Sequence, residues 1–594
     1  RGNIMNKNDF EWKQENEWLL EVLKEARKQF DEKHDSKEKF RKDAIETQKQ
    51  LWQDIGSVSI NNGMDQIVDF MGFINTMKVQ KRNHEFTRKL EEKYERILLS
   101  PYFARMDFIE NGEQMAEKCY IGISNLINDN FDILVYDWRA PISNMYYDYE
   151  IGESNYKCPE GRVDGKIMLK RQYKIKNGKI EYMFDSNIKI DDEMLQDILS
   201  KSTDSKMKAI VTTIQREQNK VIRNEEYKNL IVQGPAGSGK TSVALQRIAY
   251  LLYKYRDKIT PKNIVIFSPN DIFNDYISNV LPQLGEDNML QTTFKEYMHK
   301  ALADDLNKEN YCDMMEYILV SKKEANYQIR INNIKFKSSM EFIDILKRYV
   351  IFMGKKDRNF TNITFRGNLI ISSSDLEELF LKDYVQLPLK RRLKKIKARI
   401  LFLLEPYEKH RVEEVTDELK NSGSYIDNEE IMECSSAMMK NELNDIYCEI
   451  NRMTEFDLVD IYKNLFENLE FFLRRPNTEY SEKIIDEIKS YTLENLNAKK
   501  LKYEDQPPLL YLKGALGEIT KTSEVKYVII DEAQDYTPLQ YEIFYQLFKH
   551  SNMTILGDLQ QAINPFMNVG DYNNISHIFP QDSTCIINLT KSYR

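Results

Sequence analysis

Cysteine and histidine are scarce in this sequence, six of each in 594 residues, and neither is clustered. Cys119, Cys158, Cys312, Cys434, Cys448 and Cys585 form no C-x-x-C pair and do not group with the histidines. That spacing excludes a disulfide framework and a zinc site, and it points to a reducing compartment. No apolar run approaches the ~20 residues that a membrane-spanning helix needs, and no signal-type apolar segment opens the chain. A cytoplasmic protein without membrane contact is therefore expected. A basic excess is missing too: the formal net charge is −9, whereas a protein living only on bare nucleic acid usually carries a positive balance. That sign leaves room for a partner that is itself basic. Internal repeats and low-complexity tracts are absent. What is present is apolar content for real cores and a length, 594 residues, at which a chain divides into several domains.

The hydrophobic pattern changes three times along the chain. From Phe10 to Ile55 it is helical, with Leu19, Leu23, Ala26 and Phe30 at near-heptad spacing and Ala44, Leu51 and Ile55 continuing it. The turn-rich "GSVSINNG" (Gly56–Gly63) interrupts it, and a second helix carries Ile67, Ile74, Met77, Phe86, Leu90, Tyr94 and Ile97 up to Pro101. Two such helices about one turn predict an antiparallel arm roughly 65 Å long. Residues from Tyr102 to about Ile190 read as strands: "YIGISNL", "FDILVYDW" and "MLKRQYKIKNGKIEYMF", the last with the hairpin signal Asn177-Gly178. Residues 300–505 read as mostly helical and highly charged. Their basic run "KRRLKKIKAR" (Lys390–Arg399) is read most simply as a solvated helix face.

The chemistry-bearing signal is "NLIVQGPAGSGKTSVALQRIAYLL", an apolar strand, a glycine-rich loop and a helix. Gly234, Pro235, Ala236, Gly237, Ser238, Gly239, Lys240 and Thr241 fit G-x-x-x-x-G-K-[ST]. Glycines let backbone N–H groups wrap phosphate oxygens at a helix N-terminus, where the helix dipole also favours an anion. Lys240 would reach the β- and γ-phosphates, and Thr241, followed by Ser242, would ligate Mg²⁺. Far downstream, "KYVIIDEAQD" is an apolar strand ending in Asp531-Glu532, and "MTILGD" ends in Asp558. A carboxylate at a strand's C-terminal edge beside a P-loop is placed to hold Mg²⁺, the role read for Asp531. Glu532 is the candidate base for the attacking water.

These segments resemble superfamily 1 helicases of the UvrD/Rep type. "DEAQD" is similar to their Walker B segment and "LGDLQQAI" to their third motif, which implies that Gln561 serves ATP hydrolysis. "IQREQ" (Ile214–Gln218) resembles their Q motif and makes Gln218 the adenine reader, while "QTTF" (Gln291–Phe294) is a fainter match. The terminal "LTKSYR" is similar to their fourth motif, which implies that Arg594 is an arginine finger. The N-terminal helices, "SPYFARMDFIENGE", "YDWRAPIS", "SPNDIFNDYISNVLPQLGE" and "YEDQPPLLYLKG" narrow the resemblance to the HelD family, which associates with bacterial RNA polymerase. In "YDWRAPIS" the expected role of Asp137 and Arg139 is a buried pair. Two departures from the UvrD pattern count against stepping along single strands. Asn564 stands where bases usually stack on an aromatic, with Phe566 close by, and Phe267-Ser-Pro-Asn270 replaces Thr-Phe-Thr-Asn.

The resemblance implies an α/β fold: a RecA-like P-loop NTPase domain with an N-terminal antiparallel coiled-coil arm, a small β-rich domain and a large helical insertion. The expected boundaries are 1–100 for the arm, 101–200 for the β-rich domain, 201–300 and 506–588 for the RecA-like domain, and 301–505 for the insertion. Residues 589–594 would open a second RecA-like domain that is otherwise missing, and "INLTKSYR" reads as its first strand and arginine. The implied function is an ATPase, with ATP and Mg²⁺, that clears nucleic acid from stalled or idle RNA polymerase and recycles it. Its arm would enter the polymerase's secondary channel and its insertion the main channel, with DNA or RNA as further partners. Alternatives are an independent DNA helicase or repair translocase, and a non-enzymatic polymerase-binding factor that uses nucleotide as a switch. Without a second RecA-like domain, the chain alone is expected to be near-inactive.

Overall fold

The computed structural model of the chain describes residues 7–55, 65–185, 214, 216–269, 274, 277–278, 281, 286, 288–302, 307–355, 358–422, 428–473, 480–519 and 524–590. They form two compact units, one of residues 1–224, 241–261 and 275–288, the other of residues 225–240, 262–274 and 289–594.

In the first unit, helices α1 (Lys7–Ile55) and α2 (Asp65–Leu99) run antiparallel. Gln80 donates to Thr47 at 2.9 Å, and Glu91 takes both His34 and Lys37 at 2.5 Å. The turn "GSVSINNG" lies outside the described residues. The helix pair stands on a mixed sheet of β1 (Ala104–Glu110), β2 (Glu117–Gly122), β3 (Leu126–Ile127), β4 (Ile133–Asp137), β5 (Gly152–Cys158), β6 (Gly161–Lys176) and β7 (Lys179–Asp185). The strand order is β3-β4-β2-β1-β6-β5, with β7 also on β6. Strands β6 and β7 are joined at Asn177 (φ 50°) and Gly178 (φ 70°), the double positive φ that a two-residue hairpin turn requires.

The start of α1 is more deeply set than its heptad pattern suggests. Leu19, Val22 and Ala26 are buried with Tyr120 and Tyr173 of the sheet, and Val22 lies off the expected stripe. The anchor is polar. Glu15, 2% exposed, accepts from Arg105, from Tyr120 at 3.1 Å and from Arg171 at 3.4 Å. A carboxylate among helix charges leaves no mark in an apolar periodicity, so the sequence cannot show this joint.

Asp137 and Arg139 of "YDWRAPIS" form the expected buried pair. Arg139 donates from Nε and Nη2 to the two Asp137 oxygens at 2.9 and 2.8 Å, and from Nη1 to Glu286 at 2.5 Å. Its guanidinium also lies 4.7 Å from the ring centre of Tyr253, on helix α4 (Lys240–Lys254). Arg247 of that helix caps carbonyls of Val221 and Asn224 at 2.7 and 2.8 Å, next to helix α3 (Arg216–Ile222). The strand-rich part and the helix that follows the P-loop thus share one set of buried arginines.

The second unit holds β8 (Asn229–Gln233), β9 (Ile264–Phe267), β10 (Leu290–Thr292), β11 (Tyr527–Ile530), β12 (Asn552–Gly557) and β13 (Thr584–Asn588). All pairs are parallel, in the order β10-β9-β11-β12-β8-β13. Parallel strands covered on both faces read as unbroken apolar runs, as "IVIF" and "YVII" do. Strand β13 lies within the 506–588 span expected for the RecA-like domain and pairs with β8 as the edge of this sheet, Thr584 opposite Asn229 through Asn588 opposite Gln233. One expectation is corrected here: Ile587 and Asn588 of "INLTKSYR", read as opening the first strand of a second RecA-like domain, are the end of this edge strand.

Between β10 and β11 the chain is mainly helical, and it closes on itself where Asn307–Lys308 pairs with Lys500–Leu501. A single buried apolar cluster runs from Ile231 and Phe267 of the sheet through Phe342 and Tyr349 to Tyr462 and Phe544. Helices α5 (Leu389–Ser422) and α6 (Asn428–Thr454) pair along their lengths, with Lys397 reaching Glu455 at 2.6 Å and Arg411 reaching Glu442 at 3.1 Å. Among the described residues no helix is long and apolar enough to cross a membrane.

A buried ion network ties this helical segment together. Arg330, 1% exposed, forks onto Glu504 at 3.2 Å to each oxygen and also donates to Glu309. Burial pushes Glu309 up, but Arg330, the Tyr503 N–H and Lys502 outweigh it and hold its carboxyl below the usual range. For Glu504 burial wins and the carboxyl is raised. Replacing Arg330 by alanine leaves Glu504 buried without its partner, at a cost of about 3–5 kcal/mol in urea unfolding. Arg330 is the largest influence that holds Glu504 down, so without it the carboxyl rises further and the folded variant takes up a proton more readily than the folded wild type. The deficit therefore shrinks as pH falls from 8 towards 5 and grows as pH rises. A pH-independent deficit would contradict this.

Candidate nucleotide site

Strand β8, flanked by β12 and the edge strand β13, ends at Gln233, and the loop 234–239 turns there into α4. Its conformation needs glycine at three places. A Cβ on Gly234 would lie 2.6 Å from Ser238 Oγ and 3.0 Å from Leu589 Cβ, while Gly237 (φ 75°) and Gly239 (φ 80°) are left-handed. Such alternation turns successive N–H groups towards one side, which makes a concavity for an anion. The loop is pinned from outside by Gly234 N–H to Gly557 O at 3.2 Å and Leu589 N–H to Gln233 O at 2.8 Å.

Lys240, 9% exposed, bends its ammonium back over this loop, donating to the carbonyls of Gly234 at 2.8 Å and Pro235 at 3.1 Å. Among the described residues it has no carboxylate partner. Two neutral carbonyls do not neutralise a buried ammonium, whereas a phosphate would. This loop therefore fits the polyphosphate that the sequence implies. Thr241 and Ser242 follow as the next residues of α4. Gln218 belongs to the first unit, where it is buried on α3. Arg594 lies outside the described residues.

The acidic side of the site lies at the ends of β11 and β12. Asp531 follows β11, is 2% exposed, and accepts the Glu532 N–H on Oδ1 at 2.9 Å. Glu532 adopts φ 47°, ψ 47°, a left-handed conformation that costs a residue with a Cβ roughly 1–2 kcal/mol. Gln534, quoted in "DEAQD" without a role, proves to be the hub. Its Nε2 donates to Glu532 Oε2 at 2.8 Å and its Oε1 accepts the Asp558 N–H at 2.9 Å. Asp558 in turn takes Gln561 Nε2 at 2.5 Å, and Asp535 Oδ1 takes the Ile563 N–H at 2.9 Å. Burial, opposed by that N–H and helped by the Glu532 charge, raises the Asp535 carboxyl. The "DEAQD" and "LGDLQQAI" segments are thus hydrogen-bonded into one piece.

Two residues absent from the sequence reading complete this wall. A Cβ on Gly557 would sit 1.9 Å from Tyr572 Oη and 2.8 Å from Gln534 Oε1, so only glycine admits both. The Tyr572 hydroxyl is buried with no hydrogen-bond partner among the described residues. The glycine before the aspartate in "LGD" was the available signal for this close approach; the tyrosine, fifteen residues on, had none. Asn564 is also explained. It is 1% exposed, and its Oδ1 accepts the N–H groups of Phe566 and Met567 at 2.9 and 3.0 Å. It folds the loop rather than offering a face to a base. Phe566 is half-buried, with the Lys335 ammonium 5.2 Å from its ring centre.

Residues 12–201 match the family described as DNA helicase IV HelD, N-terminal domain, and residues 214–578 match the UvrD/REP helicase N-terminal domain. F-box DNA helicase protein 1 of Schizosaccharomyces pombe (strain 972 / ATCC 24843) is 36% identical over 72 residues, 12% of this chain. The matched stretch spans only 8% of that relative's length. Helicases of the UvrD type are in general nucleotide-hydrolysing enzymes that use ATP with Mg²⁺. With the second family match covering more than half of its residues and the first covering its N-terminal part, the chain belongs to the HelD-like superfamily 1 helicases of the UvrD/Rep type.

Proposed function

We propose that the chain is the nucleotide-hydrolysing part of a HelD-type factor that uses ATP to clear nucleic acid from stalled or idle bacterial RNA polymerase. The observation that carries this reading is the joining, in one chain, of a HelD-type N-terminal region to a UvrD/REP-type P-loop domain. Lys240 and the loop N–H groups between Ala236 and Gly239 hold the β- and γ-phosphates, and Gln218 reads the adenine. Thr241 and Asp531 are the residues that would hold Mg²⁺, which when bound offsets phosphate charge. Glu532 takes the proton from the attacking water. Gln561, tied to Asp558, senses the γ-phosphate and passes its presence to the loop around Asn564. Arg594 acts as the arginine finger, a contribution of about 10³–10⁵ in rate where such a residue is held in place. The α1–α2 pair enters the polymerase's secondary channel and the helical segment 301–505 its main channel.

The test is co-purification with polymerase core stripped of nucleic acid. The expected result is a stoichiometric complex without DNA or RNA, and ATP-dependent release of nucleic acid when a loaded polymerase is supplied. Failure to bind, together with brisk unwinding of a tailed duplex, would favour an independent helicase. Equal release with a non-hydrolysable ATP analogue would favour a nucleotide switch. The interior position of Asn564 supports weak unwinding, since a missing stacking platform forfeits about 1–3 kcal/mol per base.

A further inference from the structure

Helix α5 opens with an arrangement that works against its own stability. Its first turn has no acidic residue, and seven Lys or Arg fall between Lys390 and Arg399. Cations at a helix N-terminus oppose the helix dipole. Three of the seven have internal work. Lys390 pairs with Glu518 at 2.9 Å, Arg392 turns inward to the carbonyls of Leu387 and Gly354 at 2.6 and 2.9 Å, and Lys397 bonds Asn451 and Glu455 at 2.7 and 2.6 Å. The other four, Arg391, Lys394, Lys395 and Arg399, are exposed and have no carboxylate partner among the described residues. The second half of the same helix behaves differently. There Lys409 pairs with Glu405, and Arg411 with Glu414, Glu418 and Glu442.

The four unpaired cations lie at i, i+3, i+4 and i+8, on one face. Aromatic rings lie beside them: Arg399 is 5.8 Å from the ring centre of Phe402, which is 63% exposed, and Lys395 is 5.3 Å from that of half-buried Tyr384. In a chain of net charge −9, four exposed cations on one face without a carboxylate partner, the first of them in the opening turn of the helix, are a local conflict that folding does not explain, and such conflicts mark function. We infer that this face of α5 binds single-stranded nucleic acid, its cations on the phosphates and Phe402 under a base. From Arg391 to Phe402 the helix rises roughly 16 Å, room for about four or five phosphates at the ~3.4 Å spacing of a stacked strand. Unpaired bases are required because only they present a ring face to stack. The inference is independent of the nucleotide site.

The probe is a fluorescent dT oligonucleotide titrated against the whole chain at several salt concentrations, without ATP. Changing Arg391, Lys394, Lys395 and Arg399 together to Glu is expected to weaken binding more than tenfold. It should also flatten the log K against log salt slope by about 3, at ~0.7 per phosphate contact on single strands. Phe402→Ala should weaken binding about tenfold while leaving the slope alone. All five side chains are exposed, so the melting temperature checks that both variants fold, and the milder Ala replacements of the four cations repeat the slope measurement. An unchanged slope overturns the inference. So does poly-glutamate binding as tightly as dT with Phe402→Ala without effect, which would assign the face to an acidic protein.

Discussion

Lys240→Ala removes the stabilisation that ATP–Mg²⁺ gives the folded chain and lowers turnover by about 10²–10³-fold, the loss typical for one preorganised donor aimed at developing charge. In the wild-type chain a ligand at a hundred times its Kd adds about 2.7 kcal/mol to stability, read as an upward shift of the melting temperature. In the variant that shift vanishes, while the melting temperature without nucleotide barely moves. The asymmetry follows from what Lys240 touches. Among the described residues its ammonium has two carbonyl partners, Gly234 and Pro235, and both can accept water once the loop is relieved of it. The loop's shape is set instead by Gly237, Gly239 and the outside bonds to Gly557 and Leu589. The polymerase association proposed above does not involve the loop and should survive. A variant that melts far below the wild type, or that keeps the ATP-induced shift, would contradict this division.

The strand–loop–helix around Lys240 was legible because every part of it is local: an apolar run, glycines at fixed spacing and a helix directly after. The same holds for the Asn177-Gly178 hairpin and for Asp531-Glu532 at a strand end. What escaped was non-local or polar. Glu15 anchors α1 through arginines 90 and 156 residues away, and no periodicity records a carboxylate's distant partner. The pairing of β13 is set by the crossover that brings it beside β8, not by its own residues, so the "IN" that opens "INLTKSYR" could be given equally to either sheet. The hairpin Ile363–Phe365 with Asn368–Ile371 was passed over within a helical stretch, although Arg366 and Gly367 turn it with φ 50° and 82°. A lone arginine before glycine is a weaker turn signal than asparagine before glycine. Gln534 was visible but had no assignable partner until Asp558 was brought beside it.

Glu532 offers a test in which stability and activity should move in opposite directions. Its backbone sits at φ 47°, ψ 47° between β11 and the turn Ala533–Asp535, a conformation that glycine adopts without strain. Three bonds hold it there: Glu532 N–H to Asp531 Oδ1 at 2.9 Å, Asp535 N–H to Glu532 O at 3.1 Å, and Gln534 Nε2 to Glu532 Oε2 at 2.8 Å. Only the last involves the side chain. Glu532→Gly should therefore leave the fold intact and stabilise it by up to ~1 kcal/mol through relief of backbone strain. Turnover should nonetheless fall by about 10²–10⁴-fold, the contribution of a positioned general base. Glu532→Gln keeps the strain and the side-chain volume but cannot accept a proton. It should match the wild type in melting temperature and in affinity for ATP–Mg²⁺, and match the glycine variant in lost turnover. The pair separates the carboxylate's chemistry from its geometry. If Glu532→Gly melts lower than the wild type, the strain is structural. If Glu532→Gln hydrolyses ATP at the wild-type rate, another group takes the proton, and the strained backbone at the end of β11 needs a different explanation.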